Sequence, residues 1–167
     1  MGQFRSPESI VAADRQSWIH EIAETPRRMR EAVAGLKDTQ LDTPYRPGGW
    51  TARQVVHHVP DSQMHSLLRM KFALAEEQPE IKPYDEVVWA TLPDTRAPVE
   101  PSLALLEALH ARWLTLLNNL TDEQFHRTFR HPQLGLRNLH ATVALYAWHG
   151  RDHVGHIASL RKRMGWS

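Results

Sequence analysis

The chain has 167 residues, 41% hydrophobic and 23% charged, the proportions of a soluble globular protein with one sizeable core. Its formal net charge of +1, with neutral histidines, excludes the broad electrostatic footprint of a nucleic-acid binder or of a ligand for anionic membranes. The absence of cysteine excludes disulfides, thiolate metal ligands and a cysteine nucleophile. No apolar run approaches the roughly 20 residues of a membrane span, and no signal-peptide core opens the chain, so a cytoplasmic location is expected.

Residues 1 to 8 read as an exposed arm. The first helix is expected over Ser9 to Leu36, where Ile10, Val11, Trp18, Ile19, Ile22, Met29, Val33 and Leu36 recur at helical spacing. Pro26 lacks the N–H for that helix, which predicts a kink or two abutting helices at Thr25-Pro26. Lys37 to Leu41 reads as one helical turn capped by Asp38. Asp42 to Gly49 is loop, because two prolines and two glycines rule out a regular element. The second helix starts at Trp50-Thr51 with Thr51 as N-cap and runs to about Glu77, with Pro60 bending it just after His57-His58. Pro79 to Pro101 holds five prolines and is a long connection of crossover type. Within it, Tyr84 to Leu92 is expected to form a short helix with Val87, Val88 and Trp89 packed inward. The third helix spans Ser102 to about Leu120, with Leu103, Leu106, Leu109, Trp113, Leu116 and Leu117 on one face. Thr121 caps a further turn, and Phe125 to Arg137 reads as a small hairpin. Asn138 caps the fourth helix, which runs to Met164 before Gly165. In its last turn, Arg161-Lys162-Arg163 complements the negative end of the helix dipole. The prediction is an all-α domain over residues 1–167, a four-helix bundle with a crossover. Leu36 to Leu41 and Leu120 to Phe125 echo one another, suggesting two similar helix pairs that share a site.

Eleven histidines direct the functional search toward metal. His149 and His153 lie four residues apart, one turn above each other on a single helix face, so both can bind one ion. Neutral imidazole is a ligand for zinc, nickel and iron. No glutamate follows His149, so the His-Glu-x-x-His metalloprotease pattern does not apply. His57 and His58 are adjacent, about 100° apart on a helix, and periodicity does not choose which one serves as third ligand. His156 is expected on the helix flank. His20, His65, His110, His126, His131 and His140 have no partner pattern and read as surface or structural. Asp61, beside the expected bend, is the candidate base or orienting carboxylate; Asp152 reads as a solvated helix residue, and Ser62 can add a hydroxyl to the pocket. Trp50, Tyr146 and Trp148 read as core. There is no Gly-rich phosphate loop or nucleophile elbow.

These residues resemble the DinB superfamily, and within it the YfiT-like proteins, described as candidate metal-dependent hydrolases. The resemblance rests on Leu41-Asp42-Thr43-Pro44-Tyr45-Arg46, Gly48-Gly49-Trp50 through His57-His58, Asp61-Ser62, Lys82-Pro83-Tyr84-Asp85, Trp148-His149 through His153, His156-Ile157 and Arg163 to Trp166. It implies a four-helix bundle holding one divalent ion on three histidines. The family's first ligand lies eight residues after the tryptophan, which selects His58; the other two are His149 and His153. Zinc is the first expectation for the ion, with nickel or iron as alternatives. The family often has a histidine shortly after the Asp-Ser pair; here that stretch reads Gln63-Met64-His65. Its relatives include transferases that use bacillithiol or mycothiol. Two reactions on a small-molecule substrate are therefore implied: metal-assisted hydrolysis, or thiol S-transfer with a low-molecular-weight thiol on the metal. A structural or sensory metal module is the non-enzymatic alternative. The resemblance also implies a homodimer.

Overall fold

A computed structural model describes residues 12–166. The expected N-terminal arm and the first residues of helix one, Ser9 to Val11, lie outside the described residues. The elements, in order, are helix α1 (Ala12–Val33), the short α2 (Asp38–Leu41), α3 (Ala52–Ala75), the short α4 (Glu86–Trp89), α5 (Glu100–Leu117), the short α6 (Asp122–Phe125), strands β1 (Thr128–His131) and β2 (Gly135–Asn138), and α7 (Leu139–Met164). A 3₁₀ turn at Pro93–Arg96 precedes α5. None of these helices is long and apolar enough to cross a membrane.

Local chemistry explains the boundaries. The Thr51 hydroxyl accepts from Gln54 N–H while the Gln54 side chain accepts from Thr51 N–H at 2.8 Å, closing a capping box at the start of α3. Thr121 and Gln124 repeat the arrangement at α6. At α2 the cap is Lys37, whose N–H donates to Gln40 Oε1 at 2.8 Å. Asp38, the expected cap, is instead the first helical residue and pairs with Arg53 at 2.7 Å. The two echoing segments thus share a glutamine that folds back onto its own helix start. The Asn138 side chain caps α7, and Gly165 ends it in the left-handed conformation, φ 66°.

α1 runs through Pro26 as a single helix, so of the two expected outcomes, a kink or two abutting helices, the second does not occur. Proline leaves the Ile22 carbonyl without its helical donor. His110 on α5 supplies one: its Nδ1–H donates to Ile22 O at 2.8 Å. α3 likewise continues through Pro60.

Side-chain contacts give the helix directions. Ile22 meets His110 and Arg30 meets Glu100, so α1 and α5 are antiparallel. Glu21 meets Arg151 and Ala32 meets Arg161, so α1 and α7 are parallel. His57 meets Ser102 and Met70 meets Trp113, so α3 and α5 are parallel. α3 packs antiparallel to α7, and α1 and α3 face each other across the diagonal. The bundle is therefore up-down-down-up. Two parallel neighbours, α3 and α5, need a connection that returns the length of the bundle, and residues 76–99 are that crossover.

Arginines tie the ends together. Arg161 donates to the carbonyls of Glu31, Ala32 and Ala34, satisfying the C-terminus of α1. Arg127 does the same for α3 through the carbonyls of Ala73 and Glu76. The expected hairpin forms, with Thr128 opposite Asn138 and His131 opposite Gly135. Arg130 also exchanges backbone bonds with Pro79 and Ile81, which anchors the start of the crossover.

In α4, Val87 is 62% and Val88 53% exposed, contrary to the inward packing expected. A four-residue helix presents one face to the bundle, and Trp89 takes it, its ring tilted against His65 and Tyr84 at 5.3 and 4.6 Å.

The buried side chains fall into two clusters, one around Trp113, Phe125 and Met70, the other around Met29, Val56 and Ile157. On α7 the first ends at Ala147 and the second begins at Ile157; on α3 the second ends at Val59 and the first begins at Leu67. Between them lies a polar layer containing Thr25, Ser62, Gln63, Ser66 and His153. Gly150 belongs to this layer: a Cβ there would stand 2.5 Å from Thr25 Oγ1, so glycine permits the close approach of α7 to α1.

Candidate metal centre

The polar layer brings together the three histidines selected by the family resemblance. His149 and His153 stand one turn apart on α7, ring centroids 4.3 Å apart. The His58 ring lies 5.2 Å from His149 and 4.9 Å from His153. His58 Nε2 and His149 Nε2 approach to 3.1 Å. One nitrogen from each of the three residues lies within 4.8 Å of the others. Three nitrogens bound to one ion at about 2.0–2.1 Å in tetrahedral geometry sit about 3.3 Å apart, so a small inward movement closes the set.

His57 faces elsewhere. Its Nε2–H donates to the Ala97 carbonyl at 3.1 Å, which leaves Nδ1 to accept from the Ser102 hydroxyl at 2.7 Å. Periodicity could not separate the two histidines; the direction of α5 and the crossover does.

Burial sets the protonation of the cluster. It pushes the His58 imidazole down to about 4. It pushes His149 down to about 3, with the neighbouring His58 adding to the effect. His153 is held well below the ordinary value by burial first and then by His149, His58 and His156. Near neutral pH all three are neutral, with lone pairs free to coordinate. Nδ1 of His149 and of His153 is buried with no hydrogen-bond partner among the described residues. Polar groups buried this way cost stability; a cation would be held where the Nε2 atoms of His58 and His149 converge, so it does not itself pair the Nδ1 of His149. The donor set fits a divalent ion of the zinc, nickel or iron type.

The walls are aromatic. Trp50, expected in the core, lies half-buried over the cluster, 4.7 Å from the His58 ring and 6.5 Å from that of His153. His156 is held away, stacked on Tyr45 at 4.2 Å with Nε2 3.1 Å from Asp152 Oδ2. Asp152, expected to be solvated, is half-buried in that contact.

A cavity of about 630 Å³ opens beside His149 and is lined by Ser62, Arg69, Tyr84, His131 and Tyr146 among others. The Ser62 hydroxyl lies beside the phenols of Tyr84 and Tyr146, where it favours their ionised forms against the larger opposing effect of burial. Tyr146 accepts from Arg69 Nη1 at 3.4 Å. His65 stacks on Tyr84 at 4.3 Å. Tyr84 comes from the crossover, so the connection required by the up-down-down-up topology also forms the wall of the site. Asp61 is not among the lining residues. It is half-buried one turn beyond His58, where burial and then Asp94 push its carboxyl up to about 6.

Arg69 and His131 were not singled out from sequence. Arg69 continues the α3 stripe His58, Ser62, His65, Arg69, a signal periodicity carries. His131 had none, because its strand reaches the cavity through tertiary contacts. A cavity of about 730 Å³ surrounds Arg53 at the start of α3. It contains no histidine, and Arg53 is fully engaged by Asp42, Asp38 and the Ala97 carbonyl at 2.6, 2.7 and 3.1 Å.

The sequence profile of the DinB superfamily matches residues 21–157. A protein of Bacillus cereus (strain 03BB102), named "Putative metal-dependent hydrolase", is 52% identical over 166 residues, covering 99% of this chain and 96% of its own length. A relative of the same designation in Bacillus thuringiensis subsp. konkukian (strain 97-27) matches with the same identity and coverage. Among solved structures, YfiT from Bacillus subtilis, described as "a probable metal-dependent hydrolase with an unusual four-helix bundle topology", superposes with a TM-score of 0.96 at 48% identity, covering 100% of this chain and 97% of that one.

Proposed function

The chain belongs to the DinB superfamily, and from that premise we propose that it is a metal-dependent hydrolase whose His58, His149 and His153 hold one divalent ion, zinc in the first instance. The observation that supports this most directly is the buried convergence of three neutral imidazoles, with two Nε2 atoms 3.1 Å apart. A divalent ion on three neutral ligands keeps its full charge and supplies Lewis acidity and hydroxide at neutral pH. The protein residues bind and orient the reactants. The Trp50 indole shields one side of the cluster from solvent. The hydroxyls of Ser62, Tyr84 and Tyr146 line the adjacent cavity and offer hydrogen bonds to a substrate oxygen there. Asp61, with its carboxyl raised to about 6, has the proton affinity of a general base at neutral pH.

Metal analysis of His58→Ala, His149→Ala and His153→Ala tests the ligand set. Each variant is expected to lose about tenfold or more of its bound metal, and unchanged stoichiometry in all three would end the assignment. Asp61→Asn tests the base: kcat should fall without loss of metal. Turnover of ester or amide substrates without added thiol supports hydrolysis. Conjugation of monochlorobimane only in the presence of a low-molecular-weight thiol would replace hydrolysis with S-transfer.

A further inference from the structure

Arg69 differs from Arg53, Arg127 and Arg161, the arginines that tie the crossover and the helix ends. Arg53 is held by two aspartates, Arg127 by Glu77 and backbone carbonyls, and Arg161 by three carbonyls. Arg69 has one long bond to the Tyr146 hydroxyl, and its Nε is buried without a partner among the described residues. Its near neighbours are His65, His131 and Tyr146, none of them anionic at neutral pH. Neither of the two acids on the cavity forms an ion pair with it among the described residues: Asp85 Oδ1 accepts from Val87 and Val88 N–H at 3.0 Å, and Glu86 is exposed to solvent. A guanidinium carries five donors in a planar fork that matches an oxyanion. Leaving that fork half-buried and unfilled is costly.

We infer that Arg69 binds an oxyanion group of the substrate, so that the site acts on small molecules carrying a carboxylate or a phosphate; this rests on the metal-dependent hydrolase reading. Tyr146, which touches Arg69, precedes His149 by three residues, about 4.5 Å along α7. The anionic group therefore sits a short spacer away from the three histidines. A cavity of about 630 Å³ accommodates a molecule of that size.

The test is calorimetric titration of the full-length, metal-loaded protein with benzoate, inorganic phosphate and neutral benzamide. Benzoate or phosphate should bind at least about tenfold more tightly than benzamide, and whichever anion does so identifies the group. Arg69→Met should abolish this preference, and Arg69→Lys should keep part of it. Where Arg69→Met does not fold, Arg69→Gln carries the comparison. The Arg69-dependent difference should persist in His149→Ala, so failure of the metal assignment is separable from failure of the anion subsite. Equal binding of anion and amide by the wild type, or a preference that survives Arg69→Met or Arg69→Gln, overturns the inference.

Discussion

His110 and Pro26 form a coupled pair whose removal can be calculated. Pro26 cannot donate to the Ile22 carbonyl, and His110 Nδ1 does so across the α1–α5 interface at 2.8 Å. Ile22 is fully buried and His110 is 2% exposed, so no solvent replaces the bond. His110→Leu leaves a buried carbonyl unsatisfied, at a cost of about 1–3 kcal/mol. The single variant mixes this with a second effect, because His110 Nε2 is itself buried without a partner among the described residues and its removal is favourable. The double-mutant cycle with Pro26→Ala separates them. An alanine N–H at position 26 restores the helical donor to Ile22 O, so His110→Leu should cost about 1 kcal/mol less in that background. For a chain of this length, about 2 kcal/mol corresponds to a drop of roughly 4–8 °C in Tm. Urea unfolding of the four proteins at pH 7 gives the coupling energy. An identical cost of His110→Leu in both backgrounds would refute the role assigned to His110.

Gly150→Ala should destabilise by about 1–2 kcal/mol, because a Cβ 2.5 Å from Thr25 Oγ1 forces α1 and α7 apart and that strain exceeds the helical gain of alanine. Gly155→Ala, on the same helix with nothing within 4 Å, should instead stabilise by about 0.5–1 kcal/mol, and thermal melts of the two variants check the contrast. In metal-free protein, burial lowers His58 and His110 from 6.5 to about 4 and His149 to about 3. The unfolded chain then binds more protons below 6.5, so the stability present above pH 6.5 is lost as pH falls toward about 4. Asp61, raised from 3.8 to about 6, works in the opposite sense but is one group against three. A urea midpoint that rises between pH 7.5 and 5 would contradict this. Chelation should lower Tm at pH 7, and readdition of zinc should restore it.

The element boundaries were legible because their causes are local. Thr51 with Gln54, Thr121 with Gln124, Asn138 and Gly165 act within one turn of themselves, and each cap forms where the sequence places it. The failures come from partners distant in sequence. Pro26 reads as a kink or a division into two helices, and the division does not occur: His110, 84 residues later and invisible to a local rule, supplies the missing donor. Asp38 reads as a cap because its pairing with Arg53 lies beyond the next loop. Val87 and Val88 read as core because hydrophobicity alone does not say which face of a four-residue helix meets the bundle.

The histidine site divides along the same line. Helical spacing by itself placed His149 and His153 on one face, and the tryptophan-to-histidine interval of a resembled family pointed to His58. That one turn of α7 would meet the middle of α3 is a property of the antiparallel packing. So is the turning of His57 toward Ala97 and Ser102. The cavity around Arg69, Tyr84 and His131 belongs wholly to the tertiary structure. A parallel α3–α5 pair requires a crossover, the hairpin pins its start, and only then do side chains from four separate segments face one another. Periods of 3.6 residues and capping bonds act over a few residues, so the sequence by itself determined the elements and one ligand pair. Burial and mutual approach, which set the protonation of the cluster and the direction of every side chain in it, exist only when the helices pack.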